Sequence, residues 1–265
     1  MTTSVTPKVY LIARPTVLLE TVNWLDDLGA STYAEGIEDR LMDYNATDSE
    51  LLAELAGRRC YRSFEPGLNP NVTKIRTDTQ EYLDNIISSG HGSVLEHAQW
   101  TFAFENVSRV FTHELVRHRV GVAISQESLR YVRLDNIPFW TPEWAQEDEE
   151  LSRRSAELLA MLEAHQLWMA KHFKLDDPGV PFSEKKHKTS FMRRFAPEGL
   201  ATGLMWSANI RTLRHVLERR TDIHAEEEIR LVFNQVGEIM RKECEGLFCD
   251  YVTENGQWIT PNGKV

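Results

Sequence analysis

Hydrophobic and polar positions alternate most clearly in residues 100–107, WTFAFENV, where aromatic side chains recur at every second position. A period of two puts those side chains on one face of an extended chain, so the segment is predicted as a strand. The apolar run VYLIA at residues 9–13 predicts another. A helix is expected to start at Thr47, with Asp48 and Glu50 beside the positive end of its dipole, and to run through LLAELAGRRC until the GLNPN stretch from Gly67 breaks it. Residues 77–88 read as an amphipathic helix with Tyr82, Ile86 and Ile87 on one side, closed by Gly90. From Arg109 the pattern turns helical again. Residues 142–173 read as one long helix, exposed or subunit-facing, residues 176–182 as a loop followed by the basic SEKKHK patch, and residues 200–219 and 222–245 as two closing helices. Residues 24–44 carry no clear period. With no internal repeat and no low-complexity linker, the pattern predicts an α+β fold in a single domain over residues 1–265.

Composition narrows the function. At 265 residues and 42% hydrophobic the chain can bury a substantial core. A formal net charge of -10 argues against a nucleic-acid partner, which needs a broad basic field to displace counterions. The opening MTTSVTPKVYLIARP lacks the apolar core of a signal peptide, and no run approaches the roughly 18 apolar residues of a membrane span. A cytoplasmic protein without a membrane partner is expected. Cys60, Cys244 and Cys249 are too few and too scattered for a disulfide framework and read as reduced thiols.

Against this acidic background, residues 113–134, HELVRHRVGVAISQESLRYVRL, gather Arg117, His118, Arg119, Arg130 and Arg133 beside Ser125, Gln126 and Ser128. Guanidiniums among small polar side chains suit phosphates and nucleobase edges. On a helix successive residues turn by about 100°, so Arg117, His118 and Arg119 would face different partners. Their neighbours Val110, Phe111, Leu115 and Val116 favour a largely buried element, whose arginines need anionic partners, over a solvent-facing basic helix. A second cluster lies in SANIRTLRHVLERRTDIH, residues 207–224. Leu213, Val216 and Leu217 form an inward stripe, and Arg220 falls on that face as a candidate ligand anchor. Arg211 and His215, one turn apart, form a second facet for a phosphate or a flavin, with an ordinary salt-bridged helix as the alternative. In SGHGSVLEH, residues 89–97, the GHG is too short for a dinucleotide fingerprint, and satisfied core histidines remain an alternative for His91 and His97. HELVRH is no zinc helix: His113 and His118 stand five positions apart, rotated by about 140°, so no metal is expected.

RHR followed by SQESLRY resembles the signature of the flavin-dependent thymidylate synthases, the ThyX family, written RHRxxSxxxxSxR. HGSVLEH stands where that family has its histidine-containing flavin segment, and SANIRTLRHVLERRTDIHAEEEI resembles its C-terminal block, so the resemblance covers roughly residues 55–245. It implies a ThyX-like catalytic domain with a central sheet and long helices, assembled as a homotetramer with shared active sites. It puts flavin contacts on His91, Ser93, Arg117, His118, Arg119, Asn209, Arg211 and His215, and nucleotide contacts on Glu114, Gln126, Ser128, Arg130, Arg193 and Arg220. Catalytic roles fall to Arg220, holding the uracil as a polarised or anionic ring, and to Ser128, binding and activating the nucleotide; no base stands beside Ser128 to make it a nucleophile. The implied reaction is reductive methylation at C5 of a uridine monophosphate nucleotide, with methylenetetrahydrofolate as carbon donor and NADPH reducing FAD. No cysteine lies in the arginine blocks, which leaves a cysteine-nucleophile synthase unsupported. Rival readings are a flavin or nucleotide enzyme of another reaction type, a catalytically silent flavin- and nucleotide-binding protein, and a purely structural acidic oligomer.

One departure bears on the substrate. Five residues, VGVAI, stand between Arg119 and Ser125, one more than the usual spacer, and Val122 occupies the place of the motif's first serine. An added residue would rotate a helix by about 100°, so a helix interrupted at about residues 120–124 is predicted, with Gly121 permitting the break and a looser pocket entrance. A looser entrance beside the sugar admits a 2′-hydroxyl. That resembles the branch of the family in nucleoside-antibiotic pathways, polyoxin biosynthesis among them, which methylates UMP as well as dUMP.

Overall fold

Trp100, Phe102 and Phe104 project from one face of a single strand, and all three are fully buried. The structure, a computed structural model, describes residues 4–42, 46–132 and 134–265. The chain begins with β1 (Lys8–Ala13), α1 (Thr21–Asp27), α2 (Ser31–Met42), α3 (Asp48–Tyr61), α4 (Thr79–Ser88), a 3-10 turn (Gly92–His97) and β2 (Gln99–Ser108). It continues through α5 (Arg109–Leu115), β3 (Val122–Gln126), α6 (Glu143–Gln146), α7 (Glu149–His172), α8 (Phe182–Met192), a 3-10 turn (Arg193–Phe195) and β4 (Ala201–Asn209). α9 (Ile210–Arg220), α10 (Glu227–Glu243), a 3-10 turn (Glu245–Leu247) and the hairpin strands β5 (Val252–Glu254) and β6 (Gln257–Ile259) complete it. The larger sheet has the order β1-β2-β4-β3, every neighbouring pair antiparallel.

Register explains the core. Trp100, Phe102 and Phe104 pair with Ala208, Trp206 and Leu204, so six side chains share one face. Phe104 and Trp206 stack at 5.8 Å, and Phe233 of α10 meets the Trp206 ring edge-on at 5.7 Å. Leu213, Val216 and Leu217 of α9 join them, the stripe expected from the sequence. The opposite face is open to solvent at Tyr10, Ile12 and Met205. A second cluster, including Leu25, Ile37, Leu51 and Phe64, lies under α1 to α3.

Several expected elements are corrected. Residues 201–209 are strand, not the first half of a helix: β4 is paired on both sides and buried almost throughout, so it shows no alternation, and ladder pairing overrides its helix-forming Leu and Met. The long helix of residues 142–173 is two. Asp148 restarts it by accepting from the Leu151 N–H, and α7 then docks through Leu159, Gln166, Met169 and Ala170 rather than standing free. The stretch 24–44, aperiodic in sequence, holds most of α1 and all of α2, with Gly29 at φ 75° at the C-terminal end of α1; residues 43 and 44 lie outside the described residues. The SEKKHK patch is helical within α8. α4 starts two residues later than expected because Asp78 caps it, and α10 starts at Glu227, capped by Glu226. α3 starts beside Thr47, as the sequence suggested, and Thr47 forms a capping box with Glu50 there. No described helix is long and apolar enough to cross a membrane. All three cysteines are free thiols.

Gly237 sits where α10 crosses the buried Trp258: an added Cβ would lie 2.5 Å from the indole, which is held by its own hydrogen bond to Asn234. Gly237→Ala gains about 1 kcal/mol of helix propensity but incurs roughly 1–3 kcal/mol of overpacking. A net loss of stability is expected in urea titration, and a stabilised variant would show that the indole yields freely.

Candidate active site

α5 ends at Leu115, so the Arg117-His118-Arg119 tripeptide is not helical. The chain tightens into a turn, with the Arg117 and His118 N–H groups donating to Glu114 and Leu115 carbonyls, and leaves it through Gly121 at φ 68°. β3 follows at once and pairs with β4, Val122 opposite Ala208. The expected break is therefore present but earlier than predicted, and a strand lies beyond it. Arg117 and Arg119 are exposed and His118 only half-buried, which overturns the expectation of arginines buried against anionic partners.

Two residues at the β4–α9 junction hold this turn. The Thr212 hydroxyl donates to the Val120 carbonyl at 2.8 Å, and the Asn209 N–H donates to the Gly121 carbonyl at 3.2 Å. Asn209 also caps α9, its Oδ1 accepting from the Thr212 N–H at 2.8 Å. Contact is so close that a Cβ on Gly121 would stand 2.3 Å from Asn209 Nδ2.

Between the turn and α9 lies a cavity of about 350 Å³. Six of the eight positions expected to meet a flavin line it: Arg117, His118, Arg119, Asn209, Arg211 and His215. Ser93 is exposed on the neighbouring 3-10 turn, and His91, edge-on to Tyr61, opens onto an adjacent cavity of about 260 Å³. His97 is exposed, so neither histidine is a core group. The 3-10 turn abuts α9 at Gly92, where a Cβ would meet Arg211 Nε at 3.0 Å. Glu96 pairs with Arg211 at 2.5 Å and is the one carboxylate side chain among the described lining residues. Thr212, Glu96, Gly263, Lys264 and Val265 line the cavity too, and the sequence reading missed them; Thr212 and Glu96 sat beside recognised positions, but the C-terminal PNGKV carries no periodic signal.

His118 bridges to the nucleotide set. Its Nε2 accepts from Arg220 Nε at 2.7 Å, and burial, then the Arg220 and His215 charges, lower its pKa from 6.5 to about 4, against the raising effect of Glu114. The imidazole is neutral near pH 7 and acts as an acceptor toward Arg220. Arg220 also binds the Glu114 carboxylate and donates to the Glu114 carbonyl at 2.9 Å. Ser128 Oγ accepts from the Arg130 N–H at 3.4 Å, while Gln126 reaches Thr112 at 3.4 Å. Arg193 is exposed and makes no hydrogen bond or ion pair with the other five nucleotide positions among the described residues. The six thus fall into separate groups. Arg133 lies outside the described residues. His113 faces Glu198 at 3.2 Å, and no group of metal-ligating side chains occurs among the described residues.

These residues fit a pyrophosphate-bearing cofactor. Arg117 and Arg119, which have no carboxylate partner among the described residues, stand beside the capped N-terminus of α9, where backbone N–H groups and the helix dipole favour an anion. The volume is at the low end of the ~300–1,000 Å³ of small-molecule sites, which suits part of a dinucleotide.

Gly121→Ala combines a left-handed backbone with a clash on the helix cap, and a loss of about 2 kcal/mol is expected in urea unfolding; an unchanged midpoint would mean that the turn relaxes away from α9 freely. Two pH effects oppose each other. With a folded pKa of about 4 against 6.5 unfolded, His118 makes stability rise with pH across that window, whereas Glu228, raised from 4.5 to about 6 chiefly by burial, makes it fall between those values. His118→Asn leaves the Glu228 contribution alone, so its melting temperature should fall relative to wild type as pH rises from 4.5 to 6.5. Parallel curves would contradict the depressed imidazole.

The family model described as "Thymidylate synthase complementing protein" matches residues 40–245, a span that contains every candidate position above. Similar relatives are named flavin-dependent thymidylate synthase. That of Corynebacterium aurimucosum is 32% identical over 212 residues, 79% of this chain and 83% of the relative. That of Corynebacterium efficiens is 35% identical over 217 residues, 80% and 83% of the two chains, and that of Clostridium tetani 29% identical over 223 residues, 80% and 86%. With its arginine turn and capped helix inside the matched span, the chain belongs to the thymidylate synthase complementing protein family, that of the flavin-dependent thymidylate synthases.

Proposed function

We propose that the protein is an FAD-dependent uridylate C5-methyltransferase, a single catalytic domain over residues 1–265. The observation that carries the reading is the convergence of six flavin positions, from two separated sequence blocks, on one cationic cavity. FAD, when bound, supplies the redox chemistry of reductive methylation, with methylenetetrahydrofolate as carbon donor and NADPH as reductant. Arg117, Arg119 and Arg211 hold its phosphates; Asn209, His215, His91 and Ser93 complete the contact. His118, a neutral acceptor, orients Arg220.

Arg220 carries five N–H donors. Three are engaged by His118 and Glu114, and the other two meet the uracil and polarise it where negative charge develops. Glu114, Gln126, Ser128, Arg130 and Arg193 bind the nucleotide, Ser128 helping to activate it. The site is shared between subunits of a homotetramer. Support comes from the separation of Arg193 from the other nucleotide positions and from the apolar side chains left exposed on the sheet and on α7, including Ile12, Met161 and Trp168. The lengthened spacer, which runs from the turn at Gly121 into β3, favours UMP as a substrate beside dUMP, the behaviour of an antibiotic-pathway enzyme.

The experiment is an anaerobic competition between UMP and dUMP with FAD, NADPH and methylenetetrahydrofolate, read by mass spectrometry. Methylation of both is expected. Methylation of dUMP alone would overturn the relaxed sugar selectivity, and binding of flavin and uridylate without product would favour a silent binding protein. Arg117→Ala is expected to lose flavin absorbance, and Arg220→Ala to keep it while losing at least about 100-fold in turnover; equal loss of both ligands in both variants would overturn the division of roles.

A further inference from the structure

Beyond the matched residues 40–245, the chain returns to the same cavity. Its C-terminal segment is firmly anchored. Trp258 is fully buried, its N–H donating to Thr221 Oγ1 at 2.9 Å and its indole N–H to Asn234 at 3.1 Å. Asp250 then gathers the segment: one carboxylate oxygen accepts from Thr260 at 2.5 Å and from Asn262 at 3.0 Å, while the fully buried Arg214 grips both oxygens at 2.8 and 2.7 Å. Val265 is buried in the main core, its Cα within 3.2 Å of a Cβ on Gly92. Held at Thr260, Asn262 and Val265, the segment leaves Lys264 exposed on the cavity wall, with no side-chain ion pair among the described residues. The nearby carboxylate of Glu218 lies against Gly263, yet no ion pair joins it to Lys264 among the described residues.

The wall already carries Arg117, Arg119 and Arg211, and the single lining carboxylate side chain, Glu96, is taken by Arg211. Another ammonium in that company raises like-charge repulsion unless an anion occupies the space between. We propose that Lys264 is a phosphate-binding residue of this cavity, contributing from outside the family's matched span a further cation to the pyrophosphate of the flavin dinucleotide. The inference rests on the flavin reading of the same cavity. An ammonium on a flexible stem suits a phosphate oxygen as a point charge, beside guanidiniums that engage it in fixed directions.

The test is flavin titration of the full chain stripped of cofactor, followed by fluorescence. Lys264→Gln is expected to weaken FAD about tenfold, the value of one charge-assisted hydrogen bond at a partly exposed site, with Lys264→Arg near wild type. Lys242→Gln, which removes an exposed charge from α10, is expected to leave affinity unchanged. Equal affinity in wild type and Lys264→Gln would overturn the assignment, and so would the same loss in Lys242→Gln, which would indicate overall charge. A wild-type chain that takes up no FAD would overturn the flavin reading and this inference together.

Discussion

Asn209 is the residue to which the site is referred. It ends β4, where it pairs with Gln99 of β2, and in the same position it caps α9 and holds the carbonyl of Gly121. One side chain and one peptide group therefore register a sheet, a helix and an arginine-bearing turn against each other. Because the sheet face beneath is filled by interlocking aromatic rings, that junction cannot drift without opening the core. The cavity is the space left where these three elements meet.

Two buried arginines serve a different purpose from the exposed pair. Arg214 and Arg58 are withdrawn from water and satisfied internally, the first by Asp250 and the Leu247 carbonyl, the second by Glu54 and the carbonyls of Ser63 and Arg76. Their desolvation is offset by these ion pairs and carbonyl contacts, which leave only Nε of Arg214 without a hydrogen bond, and each fixes the geometry of a segment with little secondary structure of its own. Among the described residues Arg117 and Arg119 have no such internal partners, and their hydrogen-bonding capacity is left toward the cavity. Burial thus separates guanidiniums that build the fold from those that face the cavity.

Much of this was legible in the sequence. The alternation of WTFAFENV, the helix start at Thr47 with its acidic first turn and the stripe of Leu213, Val216 and Leu217 are local signals, carried by the element itself. β4 was unreadable for the opposite reason: its apolar and small residues fall on both faces, Met205 outward as well as Trp206 inward, so the segment shows no period. The arginine turn was misread as helical because Phe111 and Leu115 extend a helical spacing that stops where β3 finds its partner strand, a long-range event. The resemblance located six cavity positions but not Thr212 or Lys264, since what brings them there is tertiary: a hydroxyl reaching a carbonyl 92 residues away, and a segment tied back by Asp250.

A cationic pocket on a chain of net charge -10 has a consequence for how ligands arrive. A dianionic nucleotide diffusing inward first meets a repulsive field and feels the arginines only within a Debye length, about 8 Å at physiological ionic strength. Moderate salt then shields the repulsion outside more than the attraction inside. Where that outer repulsion limits encounter, added electrolyte hastens it, the opposite of its effect on a uniformly basic nucleotide binder.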